Sequence, residues 1–487
     1  MKFKDKLIKN SLSFLGGAVV SVMPKKYFKT QTQADKYMLR GDEKFSLESG
    51  NTWTCGFGKS VVTAPDYKTE TYYIAGYDSN NPVKDVLDDM YARAVFIDDN
   101  KGNGGVLFCA VDCVGMSRKD INDIRKIVIE HQKHKLKSIN ICATHSHSAI
   151  DTQGLWGEKL YKSGRNEKYM AYLKERTAQA IISAIETRKD GKLYFGFSQT
   201  DGLQADVRTP VTFDGNLNVL HFVPNDSSGD FYAVNFACHA ELLGDKTTRV
   251  SADFPAYLIK EIESRKANAN ALFFNGAIGG MVSAKDIKKI YRNEINCEEY
   301  TKNYGKMLGE LVLAIDNEKE LKPILNIKSK GIKIVADNTL LILARFLKIL
   351  NNDISRTEKR TKASLFSEIC YAEFGEKDLA LFLVPGELFP ELFNGEFLTE
   401  KDSANHKKAD YDKSLSDMSD CKHKFVIGLA NDELGYIVPE NDYLLNEVTP
   451  YLNSQKDDMQ RNHYEETNSV SKDAAKIILD EFERQLN

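Results

Sequence analysis

Apolar positions along the chain switch between two periods. Residues 106–114 (V-L-F-C-A-V-D-C-V) form an unbroken run rich in β-branched and aromatic side chains, which predicts a strand. From Ser117 to Lys135 the spacing changes. Ile121, Ile124, Ile127 and Val128 fall on one face of a helix, with Ser117 as its cap. Residues 138–143 return to a strand pattern, and strand–helix–strand in this order predicts a parallel crossover. The alternation continues with a long helix over 166–188, a strand over 230–239 and a helix over 253–267 capped by Ser251 or Asp253. A short strand at 271–275 then runs into a glycine turn, Gly276 to Gly280. Further helices are predicted at 298–318 and 470–486, and further strands at 379–384 and 424–428. The fold class is α/β, with mixed β-sheets and flanking helices. Residues 340–350 (L-L-I-L-A-R-F-L-K-I-L) read as a very apolar helix, either core or a substrate-facing lid, and 400–422 as a polar surface loop.

This pattern starts near Thr52, so the chain divides into a basic leader and linker, 1–50, and one domain, 51–487. The leader carries four lysines in its first ten residues and a mildly apolar stretch from Ser11 to Met23. It reads as a surface helix, with a membrane-surface segment or a cleaved signal as the alternatives. No stretch approaches the roughly 20 apolar residues of a membrane span. A net charge of −4 gives no reason to expect a nucleic-acid partner. The eight cysteines are scattered, several inside apolar runs, which favours buried free thiols in a reducing compartment over a disulfide framework. A cytoplasmic or peripheral membrane location follows, with secretion left open.

The strongest apolar strands each run out into residues that can carry chemistry. Strand 138–143 is followed by His145 and His147, strand 230–238 by His239 and Glu241, strand 379–384 by Pro385-Gly386-Glu387, and strand 424–428 by Asn431-Asp432-Glu433 and Tyr436. Ligand sites in α/β folds collect at the carboxyl ends of strands. Two imidazoles, a carboxylate and a water or phenolate suit Zn²⁺. On an extended segment His145 and His147 would point to one side, so both could reach one metal, or one could bind it while the other meets substrate. Each residue also has a plain reading: a surface or hydrogen-bonded histidine, or, for Glu387, a carboxylate at a helix start. Arg208 could pair with any nearby acid. Ser283 raises a serine hydrolase, but the chain has no G-x-S-x-G elbow, no HExxH helix and no phosphate-binding glycine motif.

Taken in order, these segments resemble the amidase domain of the neutral, non-lysosomal ceramidases. The resemblance rests on Thr54 to Thr63, on Asp89 to Ile97 (D-M-Y-A-R-A-V-F-I), on Cys109 to Cys113 and on A-T-H-S-H-S from Ala143. It continues through Val207-Arg208-Thr209-Pro210, Phe236 to Ala240, Ser251 to Pro255, Pro385 to Glu387, Tyr436 and His463 to Glu466. Three stretches depart from the family pattern: A-I-D-T-Q-G after Ser148; N-G-A-I-G-G-M-V-S from Asn275 to Ser283, which loses the family loop's acid and Pro-Asn; and N-D-E-L-G-Y before and including Tyr436, which lacks the family's second tyrosine. Set against the family, the chain is expected to lack its C-terminal β-sandwich.

The resemblance implies one catalytic Zn²⁺ held by His145, His239, Glu387 and Tyr436. It implies His147, Arg208 and Tyr436 as catalytic residues, with Arg208 and Ser283 against the substrate. Asp112, Asp253 and Asn275 are expected either to orient the histidines or to serve as strand-end and helix-cap residues. The implied reaction is hydrolysis of the amide of an N-acyl lipid such as ceramide. The alternatives are a zinc hydrolase of a smaller amide or ester on the same fold, or a binding protein that retains the fold. The partners are thus a small-molecule or lipid amide, and the surface of a membrane.

Overall fold

The computed structural model describes residues 17–159, 161–200, 202–358 and 362–487. The expectation for residues 1–16, the most basic part of the leader, lies outside the described residues. The remainder of the predicted leader and linker lies against the body: Val20, Met23, Ala34 and Met38 are buried, and the Arg118 guanidinium meets Asp35 at 2.7 Å.

Two sheets stack face to face. The larger holds β1 (Trp53–Val61), β2 (Tyr91–Asp98), β3 (Gly105–Val111), β4 (Leu136–Ala143), β5 (Lys189–Gln199), β6 (Asn216–Pro224), β7 (Phe231–Phe236) and β8 (Asn270–Asn275). Their spatial order is β8-β7-β6-β5-β1-β2-β3-β4, and Lys319–Glu320 adds a short ninth strand on β5. The smaller sheet runs β9 (Leu325–Val335), β10 (Ala363–Phe374), β11 (Leu379–Leu383), β12 (His423–Ile427). Both sheets are mixed. β3/β4, β7/β8 and β11/β12 pair in parallel and the other neighbours in these orders are antiparallel. The three parallel pairs contain the four strands whose ends carry the candidate residues.

Between the sheets lies an apolar layer that includes Trp53, Phe108, Phe195, Phe222 and Phe274 from one side and Phe374, Leu381, Leu383 and Phe425 from the other. Each such side chain, once buried, contributes about 1.5–3 kcal/mol. The outer face of the larger sheet is covered by α1 (Arg118–His131), α2 (Glu167–Glu186), α3 (Phe254–Arg265) and α4 (Cys297–Leu313). α5 (Thr339–Phe346) and α6 (Ala474–Leu486) pack on the core beyond the smaller sheet. The result is a four-layer α-β-β-α arrangement. The glycines of G-F-G in β1 have a packing reason: a Cβ on Gly56 or Gly58 would stand 2.1 or 2.2 Å from the Ala184 or Ala180 carbonyl oxygen of α2.

Ser117 caps α1 by accepting from the Asp120 amide, as its position predicts, and Asp253 rather than Ser251 caps α3. All eight cysteines are free, seven of them buried. Among the described residues no helix is long and apolar enough to cross a membrane.

Candidate metal centre and its cavity

Four strand ends meet, two from each sheet. Short backbone links fix them to one another. Ser146, after β4, bridges to Ala240, after β7, and the His147 amide donates to the Ala240 carbonyl at 2.9 Å. Glu387–Leu388, after β11, pairs in parallel with Tyr436–Ile437, after β12, which puts Glu387 directly beside Tyr436. Cys142 in β4 bridges to Ala430, joining the two halves.

These links bring together His145, His147, His239 and Glu387. The three imidazoles offer nitrogens within 4.8 Å of one another and could hold a metal ion. The ring centroids of His145 and His147 are 4.7 Å apart, and those of His145 and His239 are 5.0 Å apart. The two histidines of H-x-H do converge, but not through extended geometry: His145 has φ +62°, a left-handed turn that redirects the chain between them. A non-glycine residue held there is a strained position of the kind found at functional sites.

Hydrogen bonds decide which nitrogens face the centre. His145 Nδ1 lies 2.6 Å from the Val114 carbonyl oxygen and His239 Nδ1 lies 2.9 Å from that of Val282. A nitrogen facing a carbonyl must carry the proton, so in the neutral rings both Nε2 atoms turn lone pairs inward, and His145 Nε2 lies 3.1 Å from His147 Nε2. There they meet another acceptor: Glu387 Oε2 is 3.0 Å from His239 Nε2 and 3.6 Å from His145 Nε2. Either a proton on His239 Nε2 or a metal ion between them satisfies these groups. The set of imidazole nitrogens and a carboxylate oxygen therefore fits a divalent metal.

Burial pushes the Glu387 carboxyl up, but His145 and His239 outweigh it and hold it well below the usual range. Burial pushes His239 down and Glu387 reverses that. Burial, reinforced by His145 and His239, holds His147 well below the ordinary histidine value, so its ring is neutral. Its Nδ1 is buried without a hydrogen-bond partner. Tyr436 contacts Met281 Sδ at 3.0 Å and the Tyr464 hydroxyl at 2.7 Å. Burial and Glu387 raise the Tyr436 phenol well above its usual value, which keeps it protonated.

Over this centre opens a cavity of about 360 Å³, lined by His145, His147, Glu387, Tyr436 and Tyr464. Its wall is largely apolar, with Leu341 and Ile342 of α5, then Leu350, Ile354, Leu365 and Val470, and it also carries Arg345 of α5, Asn352 and Asn468. The apolar segment 340–350 thus faces the cavity rather than serving only as core, while Leu343 and Leu347 beside it are exposed.

Arg208 and Ser283 are not brought to the cavity wall. The Arg208 guanidinium is buried and takes Asp442 at 2.8 Å, Glu466 at 2.9 Å and Glu465 at 3.2 Å, while stacking over Phe389. A buried guanidinium needs acceptors for its donors, and these acids supply them. Ser283 is buried in a short strand, Val282–Ala284, paired with Gln204–Asp206, and its Oγ finds no partner among the described residues. Asp112, Asp253 and Asn275 do not touch the imidazoles either; backbone carbonyls fix the tautomers. Asn275 and Asp112 bond Thr144, the residue before His145, at 3.2 and 3.3 Å, and Asp253 caps α3.

Tyr77, Gln153 and Trp156 line the cavity and escaped the sequence reading. Their segments carry no apolar run to mark a strand end, so no local signal singled them out.

No protein-family model matches the chain, and no curated protein matches it in sequence. Solved structures do. The crystal structure of neutral ceramidase from Pseudomonas aeruginosa superposes with a TM-score of 0.64 at 14% identity, over 89% of this chain and 75% of its own. A ceramidase complexed with C2 gives a TM-score of 0.67 at 13% identity, with the same coverage. The chain has the fold of the neutral ceramidases.

Proposed function

We propose that this protein is a zinc-dependent amidohydrolase that cleaves the amide of an N-acyl lipid such as ceramide to a fatty acid and an amine. The observation that carries the reading is the inward convergence of lone pairs from His145, His239 and Glu387 at the floor of an apolar-walled cavity. The ceramidase fold supports it.

In this reading His145, His239, Glu387 and Tyr436 hold Zn²⁺. Bound there, zinc supplies a Lewis acid for the amide carbonyl and makes water a nucleophile near neutral pH. The protein's own groups do the rest. Neutral His147 accepts a proton from the attacking water and returns it to the departing amine nitrogen. The Tyr464 hydroxyl, 2.7 Å from that of Tyr436, stands with it beside the carbonyl oxygen as negative charge builds there. Arg208 acts at one remove: its partners Glu465 and Glu466 directly follow Tyr464, so it is a positioning residue for that phenol. The apolar wall takes hydrocarbon, and the exposed Leu343 and Leu347 suit contact with a lipid surface.

The test is metal content together with hydrolysis of a fluorescent ceramide and of a short N-acyl amide. Wild type binds one zinc and cleaves the lipid amide, whereas His145→Ala and Glu387→Ala lose both. Purified protein without zinc, with activity intact in both variants, sinks the reading. Turnover of the short amide alone shifts the substrate to small amides.

A further inference from the structure

We propose that Glu241 is a positioning residue: by holding the Tyr77 hydroxyl, it fixes the ring of His147 in the orientation that proton transfer needs. This rests on the amidase reading above, in which His147 carries the proton.

The three histidines of the centre are not held alike. His145 and His239 are each tied at Nδ1 to a backbone carbonyl, of Val114 and Val282. His147 has no such tie. Its Nδ1 is buried without a partner and faces the backbone of Gly76, where a Cβ would stand 2.7 Å from it. Its Nε2 meets His145 Nε2 at 3.1 Å. In the reading above that nitrogen of His145 is committed to the metal, so this contact does not hold the ring either. What remains is packing, and the Tyr77 ring supplies it edge-on at 5.2 Å. An imidazole without a hydrogen-bond tie is free to turn about its Cβ–Cγ bond, whose torsion has broad, roughly two-fold wells, and a half-turn exchanges nitrogens for carbons. The orientation of His147 therefore depends on how firmly Tyr77 is held.

Tyr77 is anchored at both ends. Its carbonyl accepts from Trp156 Nε1 at 3.0 Å. Its hydroxyl reaches Oε2 and the backbone carbonyl of Glu241, each at 3.0 Å. The Tyr291 hydroxyl donates to the same Oε2 at 2.9 Å. Glu241 is fully buried, and its Oε1 has no partner among the described residues. Burying a carboxylate with one oxygen unpaired is costly, so packing alone does not call for an acid here. Holding phenols does, because a carboxylate accepts their hydrogen bonds more strongly than the carbonyl beside it. Glu241 stands two residues after His239, so the turn that supplies one imidazole also supplies the clamp on another.

The experiment labels the nine histidines of the full chain with ¹⁵N and records their ring signals with zinc added, His147→Gln assigning those of His147. Wild type gives one sharp set for His147. Tyr77→Phe and Glu241→Leu broaden or double that set and leave those of His145 and His239 in place. Glu241→Gln, which still accepts from the phenols, restores a single set. With fluorescent ceramide, kcat falls about 10-fold or more in the first two variants while KM and zinc content stay at the wild-type level, because a misplaced reacting group is felt in the chemical step. Tyr77→Phe removes a single oxygen and carries the test where Glu241→Leu does not fold. Unchanged His147 signals in the variants overturn the clamp. So do signals of all three histidines that move together with a lower thermal midpoint, or a moved His147 with kcat intact. A moved His147 in a protein that cleaves no amide supports the clamp and removes the amidase reading. Cleavage with kcat and the His147 signals unchanged in the variants does the reverse.

Discussion

Gly76 shows how closely single atoms constrain the centre. Its φ is +108°, and a Cβ there would stand 2.5 Å from Cγ of His147. The Tyr77 ring meets His147 edge-on at 5.2 Å on the same side. The atoms nearest a Cβ on Gly76 all belong to His147, so Gly76→Ala acts first on the His147 imidazole, whose Nε2 lies 3.1 Å from His145 Nε2. If His147 carries the proton, kcat falls on the order of 100-fold while zinc content stays at the wild-type level, because small misplacements of a reacting group cost that much. Steady-state kinetics with metal analysis checks this, and an unchanged kcat removes His147 from the role. A second residue sets a pH dependence away from the centre. His221 lies between Glu318 at 2.9 Å and Asp230 at 3.1 Å. Burial lowers its pKa, but the two carboxylates outweigh that and raise it above 6.5. The folded state thus binds this proton more tightly than the unfolded state. The stability it contributes is complete below pH 6.5 and is lost as pH rises through the folded value. Urea unfolding across that range is expected to show the decline, and His221→Gln to flatten it.

Among the elements, those that position the centre were the legible ones. β3, β4, β7, β8, β11 and β12 lie in parallel pairs, and strands buried on both faces read as continuous apolar runs. β1, β2, β5, β6, β9 and β10 were not placed as strands, and of these β5 and β9 look broken or charged in sequence. β5 carries glycines at 191 and 196. In the sheet each stands where a neighbour leaves no room for a Cβ, 2.3 Å from the Val223 carbonyl oxygen and 2.7 Å from Ile315 Cγ2. In β9 Lys328, Lys330 and Lys333 interrupt the apolar positions, and none of them is buried. The four strand ends were readable as a set. That Arg208 faces inward to Asp442, Glu465 and Glu466 was not, since the acids lie more than 230 residues away in sequence. The segment from 340 carries the element-scale prediction. Leu341 is half-buried on the cavity wall. Leu341→Asp puts a charge where hydrocarbon is expected, so KM for a long-chain amide rises about 10-fold or more, while KM for a short-chain amide and the thermal midpoint change little. An equal effect on both chain lengths means the acyl chain does not lie along α5.

At the scale of the molecule, the centre exists only while the two sheets hold their packing, because His145 and His239 come from one and Glu387 and Tyr436 from the other. A buried polar tie crosses between them. Arg125 of α1 makes two 2.8 Å bonds to Glu368 of β10, and its Nη2 also reaches Asn431, in the loop leading to Tyr436, at 3.1 Å. Arg118 shares the same carboxylate at 3.5 Å. Glu368→Ala leaves the buried Arg125 guanidinium without its anion, while Arg118 keeps Asp35 at 2.7 Å, and is expected to cost about 3–5 kcal/mol of stability in denaturant unfolding. Zinc at about 100 times its Kd should add about 2.7 kcal/mol, since it binds the folded state alone. The two effects separate the parts. The zinc increment is kept in Glu368→Ala, which lowers the baseline but leaves the ligands in place. It is lost in His145→Ala and Glu387→Ala, which spare the tie between the sheets. A wild-type protein whose unfolding curve does not move with zinc has no metal centre at these strand ends. An increment lost in Glu368→Ala would mean instead that the tie, and not the backbone bridges at Ser146–Ala240 and Cys142–Ala430, holds the four proposed ligands in register.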